Sequence, residues 1–290
     1  MKNNNELDLC YKYFVDRLKE KSKHSFHGCE LDVCENLNDY KSLLYYYLSD
    51  KRGFSAFPKI MSDEDYLTVD NNHKNLFNLK GNEYYHGFEE MEYGANFLWD
   101  WYYHYGEGDY GNGFYMTSDL DMAMHFTKKM FSNTKKAKER VLKAKILSDN
   151  CIPYSELTEL NYFLVLGEKD GYQKILKRKM SKQNFDDLEL EREKQKARRF
   201  EELVEFSFNI KDETMQKMWI KAFTNNPTAM GVYLGVDYCL RGISMKNLEE
   251  NIIVFNRACL GVLESEFRRF MDNSGEKYLG LSYENNGERV

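Results

Sequence analysis

The segment Gly106-Glu107-Gly108-Asp109-Tyr110-Gly111-Asn112-Gly113-Phe114-Tyr115-Met116-Thr117 decides how this chain is read. Four glycines in eight residues lead into an aromatic, apolar stretch that closes on a hydroxyl. That texture predicts a strand entered through backbone that must approach something closely or turn left-handed. The pattern GxGxxG fits only at Gly106, Gly108 and Gly111, and there it precedes a strand. A dinucleotide-binding turn instead follows a strand and opens a helix. A Rossmann reading is therefore rejected.

Outward from this segment, short apolar or aromatic runs at residues 83–88, 113–117, 140–147, 231–238, 251–256 and 259–263 predict strands. Residues 91–103 and 120–131 carry helical spacing between them, which makes the chain α+β, with a mixed sheet and flanking helices. Leu7, Leu9, Tyr13, Phe14, Leu18, Leu43, Leu44 and Tyr47 recur at helical intervals and predict an N-terminal helical segment over residues 1–55. Ser62 is placed to cap a helix with Asp65 at its third position. The main domain is expected over residues 56–270. Into it is set a charged helical insertion at about 172–206, one helix or two, breaking near Asn184-Phe185-Asp186-Asp187. Residues 271–290 read as a tail.

With 290 residues, 42% of them hydrophobic and 30% charged, the chain can bury a full core, which excludes disordered and disulfide-stapled miniprotein classes. No window approaches the roughly 18 uncharged apolar residues that a membrane-spanning helix needs. The polar first residues lack the apolar core of a secretory signal, so a cytoplasmic protein without membrane contact is expected. A formal net charge of -6 of mixed sign gives no long-range field for a phosphate backbone. Five Lys or Arg within Lys174 to Lys182 are followed at once by acidic residues, as on a solvated helix. Six cysteines without framework spacing are expected as free buried thiols. His24, His27, Cys29 and Cys34 match no standard zinc spacing and read as a loop between helices, so no metal is expected. Asp237, Arg241 and Arg257 fit either ligand contacts or surface charges.

Two further segments carry chemistry. His86-Gly87 ends a predicted strand, and Glu249-Glu250 stands at the mouth of the apolar run Ile252-Ile253-Val254. A glutamate at the edge of a buried strand is placed to stabilise positive charge developing on a sugar. Taken in order, His86-Gly87, then Gly111-Asn112-Gly113-Phe114-Tyr115 with the helical pattern around 122–126, then Glu250 before Ile252-Ile253-Val254, resemble the ADP-ribosyltransferase family. The stretches 141–146, 153–157 and 254–257 look like its phage-encoded and bacterial toxin-like members. The resemblance covers about residues 55 to 265 and leaves the N-terminal helices and the insertion unexplained.

The resemblance implies an ADP-ribosyltransferase-like split mixed β-sheet core, with NAD as substrate. It implies that His86 and Gly87 position NAD and that Tyr115 and Phe126, eleven residues apart, sandwich the nicotinamide ring. Phe126 departs from the family's usual tyrosine: it keeps a stacking face and lacks the hydroxyl, and His125 is a rival occupant. Asn112 and Thr117 join the expected NAD-contacting set. Glu250, with Glu249 as rival, would hold the 2′-hydroxyl of the nicotinamide ribose and stabilise an oxocarbenium-like transition state. Adjacent strand residues face opposite sides, so only one of the two reaches the ligand.

The expected activity is mono-ADP-ribosyl transfer from NAD to a protein or nucleic-acid acceptor, by a toxin or effector acting in a bacterial or phage-infected cell, in attack or antiviral defence. NAD glycohydrolysis, or a catalytically inactive binding module of the same fold, is the alternative. The helical insertion would be the place where an antitoxin or other partner docks.

Overall fold

The glycine-rich segment enters the middle of a mixed sheet. The structure is a computed structural model that describes residues 4–24, 40–55, 57–69, 79–87, 106–108, 111–128, 141–243 and 250–273. Its strands are β1 Lys59–Met61, β2 Glu83–Gly87, β3 Gly106–Gly108, β4 Gly111–Thr117, β5 Val141–Ile146, β6 Cys151–Pro153, β7 Tyr238–Ile243, β8 Glu250–Val254 and β9 Leu260–Leu263. The spatial order is β1-β9-β5-β2-β4-β8-β7-β6, with β3 paired to the start of β4. Neighbours are antiparallel except the two outer pairs, β1 with β9 and β6 with β7.

Ten helices are described: α1 Asn4–His24, α2 Tyr40–Lys51, α3 Asp63–Thr68, α4 Leu120–Lys128, α5 Tyr154–Leu166, α6 Gly171–Met180, α7 Asp187–Phe208, α8 Glu213–Thr224, α9 Pro227–Leu234 and α10 Glu264–Asn273. None is long and apolar enough to cross a membrane. Ser62 caps α3 as expected, accepting the Asp65 N–H at 3.1 Å. The helical insertion divides into α6 and α7 where the turn residues predict. Asp186 starts α7 with a capping box, accepting the Glu189 N–H at 2.8 Å while the Glu189 carboxylate accepts the Asp186 N–H at 3.1 Å.

Because β6 and β7 are parallel, their connection must cross over, and α5 to α9 make that crossover. These helices do not stand apart from the sheet. Together with α1 and α2 they bury Phe14, Leu18, Tyr45, Leu160, Tyr172, Phe200, Leu203, Trp219 and Phe223 against Ile253, Phe255, Cys239 and Ile152 of the strands and their ends. The opposite face of the sheet buries Tyr84, Phe114, Met116, Leu142, Ile252, Val254 and Leu260 beneath Phe267 of α10.

One expected strand, 231–238, is corrected. Residues 227–234 form α9, with Pro227 in its first turn and Gly235 closing it in a left-handed conformation (φ 81°). Every residue from Thr228 to Leu234 is buried, so the helix shows no polar stripe and its apolar run mimics a buried strand. Strand β7 begins only at Tyr238. The expected helix over 91–103 lies outside the described residues, and of the tail expected at 271–290 only 271–273 are described, as the end of α10.

The sheet is divided at one place. Every other neighbouring pair along it shares two to five register pairs, whereas β2 and β4 share one, Tyr85 with Thr117. Beyond it, toward His86 and Gly87 on one side and Tyr115 on the other, no further register pair joins the two halves among the described residues.

Candidate functional site

This seam brings the three chemistry-bearing strands together, since β2, β4 and β8 are consecutive neighbours. Register then assigns faces. Tyr85, Thr117 and Asn251 form one row across the three strands, and Tyr115 with Ile253 forms the next row on the same face. His86 alternates to the other face, with Phe114, Leu142 and Ile252. The structure therefore sets His86 and Tyr115 side by side along the seam but on opposite faces of the sheet.

His86 bridges the seam. Its Nδ1 lies 2.5 Å from the Tyr115 carbonyl oxygen, and its ring stacks on Phe114 with centroids 3.9 Å apart. A carbonyl only accepts, so Nδ1 carries the proton and Nε2 of the neutral ring is left as an acceptor. Burial drives the imidazole pKa down to about 4, and the nearby Arg257 charge adds to this against the opposing bond to Tyr115. Arg257 itself is fully buried, its guanidinium 4.4 Å from the Phe114 ring centre, so the surface-charge reading of Arg257 is corrected. Among the residues that sequence reasoning missed is Phe114, which carries both His86 and Arg257.

The depressed His86 pKa has a consequence for stability. The unfolded chain takes up this proton near pH 6.5 and the folded chain only near pH 4. Stability therefore falls as pH drops through that window and does not fall further on this account below it. Between pH 7 and 4.5 the loss should exceed that of His86→Phe, which keeps the stack, by about 2–3 kcal/mol in denaturant midpoints. Equal pH dependence in the two proteins would show that His86 does not titrate in this way.

The glycine-rich strand is built for close packing. Gly111 (φ +105°) would place a Cβ 2.5 Å from Asn226 Oδ1, and Gly113 (φ +154°) one 2.2 Å from Ile253 Cγ2. Gly113→Ala should therefore cost about 1–3 kcal/mol of stability, read as a lowered melting temperature, because the backbone or Ile253 must shift. Asn112 is buried, and its Oδ1 accepts from Asn226 Nδ2 at 2.6 Å, while Thr228 Oγ1 donates to Asn226 Oδ1 at 2.5 Å. Asn226, the residue before the first proline of α9, thus fastens that helix to β4. Sequence reading missed it, although Asn before Pro at a helix start is a recognisable signal.

Tyr115 donates its hydroxyl proton to the Gly111 carbonyl at 2.6 Å and packs against the helical layer. Thr117 is buried, and its hydroxyl accepts the Asp119 N–H at 3.2 Å, setting the turn into α4. Gly87 pairs with Val141 at the end of β2. Glu250 is the first residue of β8, paired with Ile243, and Phe126 lies in α4; the side chains of both, and all of Glu249, lie outside the described residues. His125 is exposed on α4. Asp237 is a structural tie rather than a surface charge, accepting from Ser148 Oγ at 2.6 Å and Asn256 Nδ2 at 2.8 Å. Arg241 is exposed on β7.

Away from the seam, a small cleft of about 50 Å³, open to solvent, lies beside β6 and is lined by Asn150, Cys151, Lys179, Phe185, Arg192 and Lys196, among others. Its charges are matched: Arg192 binds Asp149 at 2.6 Å, Lys179 binds Glu156 and Glu193, and Lys196 binds Glu193 at 2.7 Å. In the basic run on α6, Lys174 pairs with Glu168 and Asp170, and Arg178 with Glu159. Cys10, Cys151, Cys239 and Cys259 form no disulfide, and burial holds each above the ordinary thiol range, so they remain thiols at neutral pH. Among the described residues no group of three metal-binding side chains exists. The cluster His27, Cys29 and Cys34, with the His24 side chain, lies outside them. Comparison of the chain with family models, with curated proteins and with solved structures finds no match.

Proposed function

We propose that the protein is an NAD-dependent mono-ADP-ribosyltransferase whose ligand lies at the seam between β2 and β4. The observation that carries this is the adjacency of β2, β4 and β8, with the β2–β4 ladder reduced to Tyr85 and Thr117. Strands that separate offer backbone donors and acceptors that no ladder uses, and such groups seek a partner. Gly87, without a side chain, lets a carboxamide approach that backbone. Tyr115 offers an aromatic face beside it, with Phe126 on the following helix as the second ring.

In the reaction, the bond between the nicotinamide nitrogen and ribose C1′ breaks, and its electron pair leaves with nicotinamide. Glu250 stabilises the positive charge that develops on the ribose, and a nucleophile of the acceptor attacks C1′ and loses its proton. His86 fastens the Tyr115 carbonyl across the seam. Asn112 and Thr117, bonded to Asn226 and to the turn into α4, shape β4.

The test is transfer of labelled ADP-ribose from NAD into a bacterial lysate, with parallel protease and nuclease treatment to name the acceptor class. Label that appears and depends on Glu250 is the expected result. Nicotinamide release without label would mean that water is the acceptor. Neither product from folded protein would turn the reading into that of a binding module.

A further inference from the structure

Strands β8 and β7 separate the seam from the outer edge of the sheet, where β6 and the α6–α7 hairpin enclose the small cleft. Two groups in its wall are incompletely bonded. Asn150 donates through Nδ2 to the Gly235 carbonyl at 2.8 Å, which fixes the orientation of its amide, because the reverse would set two carbonyl oxygens together. Its Oδ1 is buried and, among the described residues, accepts no hydrogen bond. The Lys196 side chain is 6% exposed, and its ammonium, with three protons to give, has among the described residues one acceptor, Glu193 Oε1 at 2.7 Å. A buried acceptor and a buried donor that the fold leaves unmet in the wall of one opening call for a guest that supplies both partners.

The charges around the cleft decide the charge of the guest. Arg192, Lys179 and Lys196 are met by Asp149, Glu156 and Glu193, so no net field draws in an anion such as a phosphate. A neutral amide, with its N–H and its carbonyl, satisfies Asn150 and Lys196 together. The opening of about 50 Å³ exceeds the roughly 10–15 Å³ that one water needs and falls far short of the roughly 300 Å³ at which small-molecule pockets begin. It takes the end of one side chain. Exposed apolar groups stand at its rim: Met180, 52% exposed, follows Lys179, and Leu188, 61% exposed, precedes Glu189, both of them residues of the cleft wall. An amide alone has too few atoms to bind tightly, so the rest of the affinity falls to this rim. We infer that the cleft is the docking site of a protein partner that inserts one asparagine or glutamine side chain, its amide donating to Asn150 Oδ1 and its carbonyl accepting from Lys196, and rests a neighbouring apolar residue on Met180 and Leu188. The docking expected on the helical insertion thus acquires a position and a chemistry, and neither depends on the reading of the seam.

The experiment selects random peptides displayed on phage with the full chain as bait, then titrates the enriched peptides calorimetrically with the wild type, Leu188→Glu and Asn150→Leu. The enriched sequences should share an Asn or Gln beside an apolar residue. Exchanging that Asn or Gln of the peptide for leucine should weaken binding about ten- to a hundredfold, because Asn150 and Lys196 are then covered without partners. Leu188→Glu, at the exposed rim, should weaken it by a similar factor with the melting temperature unchanged. Asn150→Leu should do the same, and since it also gives up the bond to Gly235 its melting temperature is read alongside; the exchange in the peptide serves if that variant does not fold. Enriched sequences that share Asp or Glu in place of the amide, or that bind Leu188→Glu as tightly as the wild type, overturn the proposal. Displacement of the peptide by oligothymidylate overturns it in favour of a nucleic-acid partner. The absence of any enriched sequence overturns it as well, and leaves water as the guest of the cleft.

Discussion

Glu250→Gln is expected to cut the transfer of labelled ADP-ribose at saturating NAD by about a hundredfold to a thousandfold, with no change in melting temperature. Glutamine keeps the shape and the hydrogen-bonding oxygen but removes the charge, and only the charge acts on the positive sugar in the transition state. The loss should therefore appear in kcat, with KM almost unmoved. Glu250 opens β8 opposite Ile243, at the end of the β7–β8 ladder. Glu249→Gln is the comparison, since neighbours on a strand face opposite sides and only one of the two can serve. Full activity in Glu250→Gln with loss in Glu249→Gln would move the role by one residue. Full activity in both would remove the carboxylate from the mechanism.

The second large effect concerns stability. Glu193 on α7 is buried and accepts from Tyr172 at 3.0 Å, Lys179 at 2.9 Å and Lys196 at 2.7 Å. Burial alone would raise its carboxyl pKa, and the two ammonium groups overturn that and hold it below the ordinary carboxylate range. Glu193→Ala leaves Lys196, whose side chain is 6% exposed, without its hydrogen-bond acceptor. The expected cost is about 3–5 kcal/mol, measured by denaturant unfolding. Replacing both, Glu193→Leu with Lys196→Met, should cost less, because Lys179 keeps Glu156 and only the Tyr172 hydroxyl then loses its acceptor. A single variant as stable as the wild type would show that water reaches Lys196 freely.

Much of the sheet was legible because its strands are short apolar runs bounded by turn residues: 83–87, 111–117, 141–146, 250–254 and 260–263 fall where the pattern puts them. The three-residue strands β1, β3 and β6 were not, since three residues carry no period. Helix α9 was misread because burial on every side erased its stripe. The break between α6 and α7 was readable from Asp186, whereas the burial of Glu193 and Lys196 on an otherwise charged helix was not, because a pattern of charges does not say which ones find partners. At the seam, the order of the motifs along the chain was plain. Faces depend on register, and register depends on partners far away in sequence, so the opposition of His86 to Tyr115 and the place of Asn251 were hidden.

The way the sheet is closed also dictates when it can exist. Both halves need residues 251–263: β4 pairs with β8, β5 with β9, and β1 with β9, so the central and edge ladders join residues 59–61, 114–117 and 145–146 to them. During synthesis only local parts, such as the α5 to α9 crossover and the β2–β5 pair, have their partners at hand. Such long-range pairing folds slowly, because the loop must close before any contact rewards it. A nascent chain halted before residue 250 lacks β8, the strand that ties β4 to β7, so whatever the seam binds waits until residues 250–263 have been made.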